Sequence, residues 1–265
     1  MKVSVITVTL NNIKGLLKTY DSLRFLKSDY EWIVIDGGSE DGTVKWLNQQ
    51  DDVNLRWISE PDSGMCDAMN KGWHLSVGKW VYFLNGGDFL IRSFDHILDF
   101  YPEEDMITGR VKICMPDGNI TEKIVPGLDW ERENFTSGNH IVHQATLLRR
   151  DLLEKYGPYD LNYPIVADFE YWIRLHVKGA RIKFVDDVFA AFLLGGRSTQ
   201  RCNFLQMQTE RRAVLRAYGY INKLTSFLMG TKLWCKFYLR ECLEYAVHSY
   251  SSGRKQILGN TTEKA

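Results

Sequence analysis

The sequence lacks most of the features that would place a protein quickly. Its five cysteines, Cys66, Cys114, Cys202, Cys235 and Cys242, are scattered and form no CxxC pair. A zinc site or a disulfide framework is therefore not expected, and reduced thiols in a cytoplasmic protein are. No apolar run approaches the roughly 18 residues of a membrane span. The opening MKVSVITVTLNN enters a strand pattern directly, without the sections of a secretion signal. Repeats and low-complexity segments are absent too. The expectation is a soluble or membrane-peripheral protein.

Net charge is also lacking, since 33 basic and 33 acidic residues cancel. They are unevenly spread: residues 1–196 hold 21 Lys+Arg against 29 Asp+Glu, and residues 197–265 hold 12 against 4. A basic tail on an acidic body points to an anionic partner. What remains is an ordinary globular composition, 45% hydrophobic and 25% charged over 265 residues. That suits one large α/β domain with an appendage.

Apolar periodicity supplies the organisation. Residues 2–10 read as a buried strand, closed by Asn11-Asn12 and followed by a helix pattern through Leu16, Leu17, Tyr20, Leu23 and Leu26. A second strand at 31–35 ends in Asp36-Gly37-Gly38-Ser39, and Ser39 or Asp41 is placed to cap a helix over 43–50. A third strand over 55–59 precedes a helix over 65–76. Strands alternating with helices in this way indicate a parallel, doubly wound sheet. The fourth strand, Trp80 to Leu84, is unbroken apolar, stops at Asn85-Gly86-Gly87-Asp88, and resumes with Phe89-Leu90-Ile91. A carboxylate behind two glycines at a strand's C-terminal end lies where open α/β sheets bind ligands. A turn Asp bonding its own backbone is the plainer alternative.

Dinucleotide and P-loop folds share this alternation, but their fingerprints are missing. The first strand–helix turn reads Leu10-Asn11-Asn12-Ile13-Lys14-Gly15, not GxGxxG. A nucleotide bound here needs another counter-charge for its phosphates, and Asp88 holding Mg²⁺ or Mn²⁺ is the candidate. Asp36 and Asp88 both end strands, so one can meet a base or ribose while the other holds metal. From residue 106 the pattern becomes hairpin-like, with runs at 108–115 and 119–125 around Pro116-Asp117-Gly118. His143-Gln144 precedes a strand at 145–148. Asp168 opens a helix carrying Phe169, Trp172 and Leu175, where an N-cap role would explain it. Glu170 and Arg174 are spaced to pair along that helix.

The segments VSVITVTLNN, EWIVIDGGSEDGT, SEPDSGMCDAMNKG and GKWVYFLNGGDFL, in that order, resemble the motifs of family 2 glycosyltransferases, which have the GT-A fold. The likeness is to bacterial enzymes building colanic-acid, O-antigen or capsule polysaccharides, and it covers about the first 200 residues. It implies a GT-A-like, mostly parallel sheet flanked by helices over 1–199, with a nucleotide-binding half at 1–100 and an acceptor half at 101–199. A basic helical extension would occupy 200–265.

It further implies that Thr7, Val8, Thr9 and Asn11 line the nucleoside pocket, with Asp36 and Gly37 at the base. Asp88 would be the metal ligand. Asp67, Asn70, Lys71, Asn85, Gly86, Gly87, His143, Gln144 and Arg197 would attend the donor sugar or diphosphate, and Asp168 would be the catalytic base. Local structure offers rival readings: an acid favouring a helix dipole for Asp67, a solvated charge for Lys71, a structural imidazole for His143. The sequence departs from the family at Leu10, where many members have a base-stacking aromatic. It departs again at Asn85-Gly86-Gly87, where many have acids, and at Ala167, which replaces an acid.

The implied reaction is inverting, metal-dependent transfer from a nucleotide-sugar, UDP-linked foremost, to a lipid-diphosphate-linked glycan in surface polysaccharide synthesis. Two other classes remain: a glycoside hydrolase using paired carboxylates, and a non-catalytic nucleotide-sugar-binding assembly module. Beyond residue 199, helical patterns at 205–220 and 224–250 carry Arg211, Arg212, Arg216, Lys223, Lys232, Lys236 and Arg240 among aromatic and apolar residues. Such helices fit an anionic membrane face or a protein surface, including a second copy in a homodimer. Nucleic acid is not expected, because no recognition motif accompanies the charge.

Overall fold

In the computed structural model, residues 2–115, 117–125, 135–136, 141–194 and 201–231 are described. The first part of the sheet is built on β1 (Val3–Thr9), which pairs in parallel with β2 (Tyr30–Asp36) and β4 (Trp80–Phe83). β2 pairs in parallel with β3 (Leu55–Ser59). The crossovers carry α1 (Ile13–Ser22), α2 (Thr43–Leu47) and α3 (Met65–Leu75). Burial on both faces explains the unbroken apolar runs, since Ile33, Val34, Val81, Tyr82 and Leu84 have no exposed surface. On one face Tyr20 stacks on Trp32 at 5.0 Å with Trp46 edge-on to both. On the other, Trp73 of α3 meets Phe83, Tyr159 and Tyr171.

Residues 101–194 extend the same sheet with mixed pairing. β8 (Thr146–Arg149) runs antiparallel to β4 and to β6 (Met106–Cys114). β6 also pairs with β9 (Ile182–Leu193) in parallel and with β7 (Ile120–Val125) as the expected hairpin. The two-residue β5 (Phe89–Leu90) lies antiparallel to β9. The order is β3-β2-β1-β4-β8-β6-β9-β5, with β7 on β6. Helices α4 (Asp95–Phe100), α5 (Leu152–Tyr156), α6 (Ala167–Val177) and α7 (Phe204–Ala217) complete the described elements used below. The expected α/β architecture is present.

Several local expectations are corrected. α2 ends at Leu47 rather than 50, where the Asn48 side chain and then Gln50 turn back to bond Val44 and Trp46 carbonyls. Its N-cap is Gly42, because the Ser39 hydroxyl goes to Asp36 while Asp41 accepts from Ile13 and Thr43. The chain divides into units 1–214 and 215–265. Residues 204–214 of α7 fall in the first unit, where the Glu210 carboxylate accepts from the Ile165 and Val166 N–H groups ahead of α6. In the second unit residues 223–231 are helical, and Leu224, Phe227 and Leu228 are exposed along them. Among the described residues no helix is long and apolar enough to cross a membrane.

The sheet edge away from the strand ends is held by a buried acid. Glu31 accepts from the Ser4 hydroxyl, the Val77 N–H and Arg56. The Gly78 N–H donates to Ser4 Oγ at 2.8 Å, and a Cβ on Gly78 would stand 2.6 Å from the Ser4 nitrogen and 2.7 Å from the Val3 carbonyl carbon. Strand backbone cannot yield as a flexible side chain would. Gly78→Ala is expected to lose about 1–3 kcal/mol of stability, read from the urea midpoint at unchanged slope.

Candidate functional site

The C-terminal ends of β1, β2 and β3 lie in register, Thr9 beside Asp36 and Asp36 beside Ser59. Asp36 is fully buried and its carboxylate organises the loop after β2. It accepts from the Gly38 and Ser39 N–H groups at 3.2 and 2.9 Å, from the Ser39 hydroxyl, and from Ser59 Oγ at 2.6 Å. Asn11, at φ 48°, receives its place from the same loop: its N–H donates to Ser39 Oγ and its Oδ1 accepts from Glu40. Such a left-handed position suits Asn among non-glycine residues. Thr7 is committed inside the sheet, donating to the Leu84 carbonyl and accepting from Trp32 Nε1. Val8 is buried beside it, and the Gly37 N–H donates to the Thr9 carbonyl.

The Asn85–Asp88 loop is tied to this group. Asn12, the N-cap of α1, accepts from Gly15 and donates to the Gly86 carbonyl. Gly87 has φ 109°, which needs glycine, and its N–H donates to Thr19 Oγ1. A Cβ on Gly86 would stand 3.1 Å from Thr9 Oγ1. Two buried oxygens here, Thr9 Oγ1 and Asn85 Oδ1, have no partner among the described residues. Buried polar groups left unpaired mark a place for a ligand or water.

Asp88 is 7% exposed, and burial pushes its pKa up to about 6, against the pull of its hydrogen bonds and of the Lys18 charge. Its Oδ1 accepts from the Leu193 N–H and its Oδ2 from Gln144 Nε2, both at 2.9 Å. The carboxylate thus ties the β4 loop to β9 and to the His143-Gln144 turn. The Asp88 carboxylate could hold Mg²⁺ or Mn²⁺ only with substrate phosphates and water as further ligands, and each of its oxygens already accepts one protein donor. Glycines stand at 86 and 87, and among the described residues no three His, Cys, Asp or Glu side chains converge. Beside it, His143 Nε2 lies 3.1 Å from Asn85 Nδ2, and burial lowers its pKa to about 4. His143 is therefore neutral near pH 7 and accepts from the Asn85 amide.

His143 and Gln144 also line a cavity of about 450 Å³ together with Asp168, Phe192 and Arg211. Asp168 is the second residue of α6, not its N-cap, which is Val166. It sits half-buried between the buried Ala167 and Phe169, with Oδ1 accepting from the Phe169 N–H at 2.7 Å. The helix behind it is fixed by the Glu170–Arg174 pair, in which Arg174 Nε donates at 3.0 Å and its Nη1 reaches the Tyr156 and Pro158 carbonyls. Much of the remaining wall is apolar, including Met65, Met69 and Ile141. Asp168 is the cavity's only acid among the described residues.

Other expected site residues are held by the protein itself. Asp67 accepts from the Ser63 N–H and lies 3.6 Å from Lys71. Lys71 also pairs with Glu60 at 2.8 Å and donates to the Pro61 carbonyl. Both polar groups of Asn70 engage the Tyr159 backbone, at 2.9 and 3.0 Å, so its amide braces the chain before α6. Arg197 lies outside the described residues.

Three residues at the site carry little that singles them out in the sequence. Asn12 was legible as an Asn ahead of an apolar helix pattern. Asp62 approaches Gly37 so closely that a Cβ there would meet its Oδ2 at 2.8 Å; only its Oδ1 is engaged, by the Gly64 N–H. Arg211 shares its sequence pattern with the basic tail residues, yet its guanidinium sits over Phe169 at 5.0 Å. Nothing local distinguishes it from Arg212.

An α/β sheet with Asp36 and Asp88 at its strand ends, and no dinucleotide or P-loop turn, is compatible with the nucleotide-sugar transferase class. Residues 4–157 match the family model "Glycosyl transferase family 2". The chain belongs to that family and is a nucleotide-sugar glycosyltransferase of GT-A fold. It is 32% identical over 188 residues to an uncharacterized glycosyltransferase of Mycobacterium tuberculosis (strain ATCC 25618 / H37Rv), covering 65% of this chain and 68% of that one. It is equally 32% identical over 180 residues to a PGL/p-HBAD biosynthesis glycosyltransferase of Mycobacterium bovis (strain BCG / Pasteur 1173P2), covering 64% and 68%. In structure it resembles S. aureus TarS 1-349 in complex with UDP, with a TM-score of 0.62 at 16% identity over 85% of this chain and 68% of that one. The chain spans 41% of a longer TarS chain.

Proposed function

We propose that the protein transfers a sugar with inversion from a UDP-linked donor, Asp168 acting as the base. The carrying observation is the cavity that joins Asp168 to His143 and Gln144, which are in turn bonded to Asn85 and Asp88 at the end of β4. Asp168 takes the proton from an acceptor hydroxyl, whose oxygen attacks the anomeric carbon. The bond from that carbon to the phosphate oxygen breaks, and the nucleoside diphosphate leaves. The orphaned Thr9 and Asn85 oxygens suit donor hydroxyls. Nucleoside recognition falls to the edge of Leu10, Asn11 and Gly37, shaped by Asp36 and offering the Asp62 Oδ2 as acceptor. The UDP seen with TarS supports a uridine donor here.

The acceptor is read as a lipid-linked glycan. The exposed Leu224, Phe227 and Leu228 suit a membrane-peripheral enzyme. Hydrolysis by paired carboxylates finds no second acid in the cavity among the described residues.

Calorimetric titration of UDP, GDP and dTDP tests the reading, with and without EDTA. UDP is expected to bind tightest, and chelation to change its affinity by less than about threefold, under 1 kcal/mol. Loss of all UDP binding in EDTA would show that a cation is held after all. Absence of any nucleotide binding would overturn the donor assignment.

A further inference from the structure

We propose that Arg211 is the cationic group that receives the diphosphate of a substrate in the Asp168 cavity. The assignment rests on the transferase reading above and deepens it. A departing nucleoside diphosphate gathers negative charge, which a transferase must meet with a cation or with aimed donors. Asp88 is the single acid of the β4 loop and is engaged by Leu193 and Gln144, so a cationic side chain in the cavity has charge to meet even with a cation at Asp88.

Arg211 is the one arginine or lysine among the described residues lining the cavity. Its Nη2 donates to the Phe135 carbonyl at 3.0 Å, and its plane lies over the Phe169 ring. Those two contacts hold the fork from its edge and its face. Its Nε is buried and has no partner among the described residues. Among the described residues no carboxylate is within ion-pair distance of it. The adjacent Glu210 is turned instead to the Ile165 and Val166 N–H groups and accepts from Gln206.

A partly buried guanidinium without a counter-ion is costly, and a ligand anion would offset that cost. Burial already lowers its pKa. The cavity's imidazole, His143, is neutral near pH 7, so it does not compete for an anion. Arginine's planar fork matches phosphate oxygens, and charge-assisted bonds of this kind are about twice as strong as neutral ones. Phe169 is the neighbour of Asp168, so Arg211 and the base are held by the same turn of α6. That places the charge acceptor and the proton acceptor on opposite duties within one cavity.

A diphosphate reaches the protein from two sources, the nucleotide donor or a lipid diphosphate acceptor. Full-length protein and Arg211→Gln are titrated with UDP, uridine and geranyl diphosphate, with thermal midpoints recorded for each. The wild type is expected to prefer UDP to uridine. Arg211→Gln should lose about tenfold or more of that preference with uridine affinity unchanged, whereas Arg212→Gln on the same helix should keep it. UDP preference retained by Arg211→Gln, with geranyl diphosphate binding lost, assigns the group to the acceptor diphosphate. Both retained in the folded variant overturn the proposal. Should Arg211→Gln fail to fold, Arg211→Lys carries the test: losing the fork should cost about tenfold in the same preference, and no change overturns the assignment. A wild type that binds no nucleotide overturns the transferase reading instead, and Arg211 is then decided by geranyl diphosphate alone.

Discussion

Asp168→Asn is expected to lower kcat by about three orders of magnitude, within the range for loss of a general base, while UDP affinity stays within about threefold. The substitution is nearly isosteric. Its Oδ1 still accepts from the Phe169 N–H, and α6 loses no cap, because the cap position is Val166. The Glu170–Arg174 brace and the Glu210 contacts to Ile165 and Val166 do not involve the carboxylate. What disappears is the ability to take a proton. An amide cannot accept it, and the cavity holds no second acid among the described residues to stand in. His143 lies in the same cavity with its pKa near 4, too weak a base to substitute efficiently near neutral pH. Turnover at saturating donor and UDP binding by calorimetry separate the possibilities. A large loss of UDP affinity with normal saturated turnover would move Asp168 from chemistry to donor binding.

The sheet was legible because its strands are buried on both faces. Runs such as Trp32-Ile33-Val34-Ile35 and Trp80 to Leu84 admit few other structures, and their spacing dictates the crossovers. Strand ends were legible too, since Asp36 and Asp88 interrupt those runs. What each acid does there was not. A carboxylate at a strand end looks the same in sequence whether it faces solvent, a metal or the protein. Asp88 meets Leu193 and Gln144, 105 and 56 residues away, and no local pattern announces such partners. Asn70 illustrates the same limit, its amide spent on Tyr159. Arg211 is the reverse case. Helical periodicity placed it among basic residues of a tail, and only the docking of α7 onto α6 takes it out of water. Pattern identifies which residues share an element; burial of polar groups depends on which elements meet.

Replacing His143 or Asp88 singly is expected to expose opposed pH dependences that offset each other in the wild type. Asp88 has a folded pKa of about 6 against an ordinary value of 3.8, so it binds its proton more tightly folded than unfolded. Its contribution is fully present below about pH 4 and is lost as pH rises through 6. His143 has a folded pKa of about 4 against 6.5, so its contribution is present above 6.5 and is lost as pH falls through 4. Each shift spans two pKa units or slightly more, on the order of 3 kcal/mol. Between pH 4 and 6 one contribution falls while the other rises. In His143→Gln the Asp88 slope stands alone, and stability should decline by about 3 kcal/mol from pH 4 to 6 relative to the wild type. In Asp88→Asn the sign reverses, with stability rising relative to the wild type over the same interval. Carboxylates such as Asp95 and Asp105, held below their ordinary range by hydrogen bonds, titrate alike in all three proteins and cancel in the comparison. Urea unfolding at pH 4, 5, 6 and 7 reads both slopes. Parallel curves for the wild type and both variants would mean that neither group is as buried as the fold makes it. An Asp88→Asn slope that matches the wild type while His143→Gln diverges would place the perturbation on the imidazole alone, and would leave the Asp88 carboxylate solvated enough to take a cation.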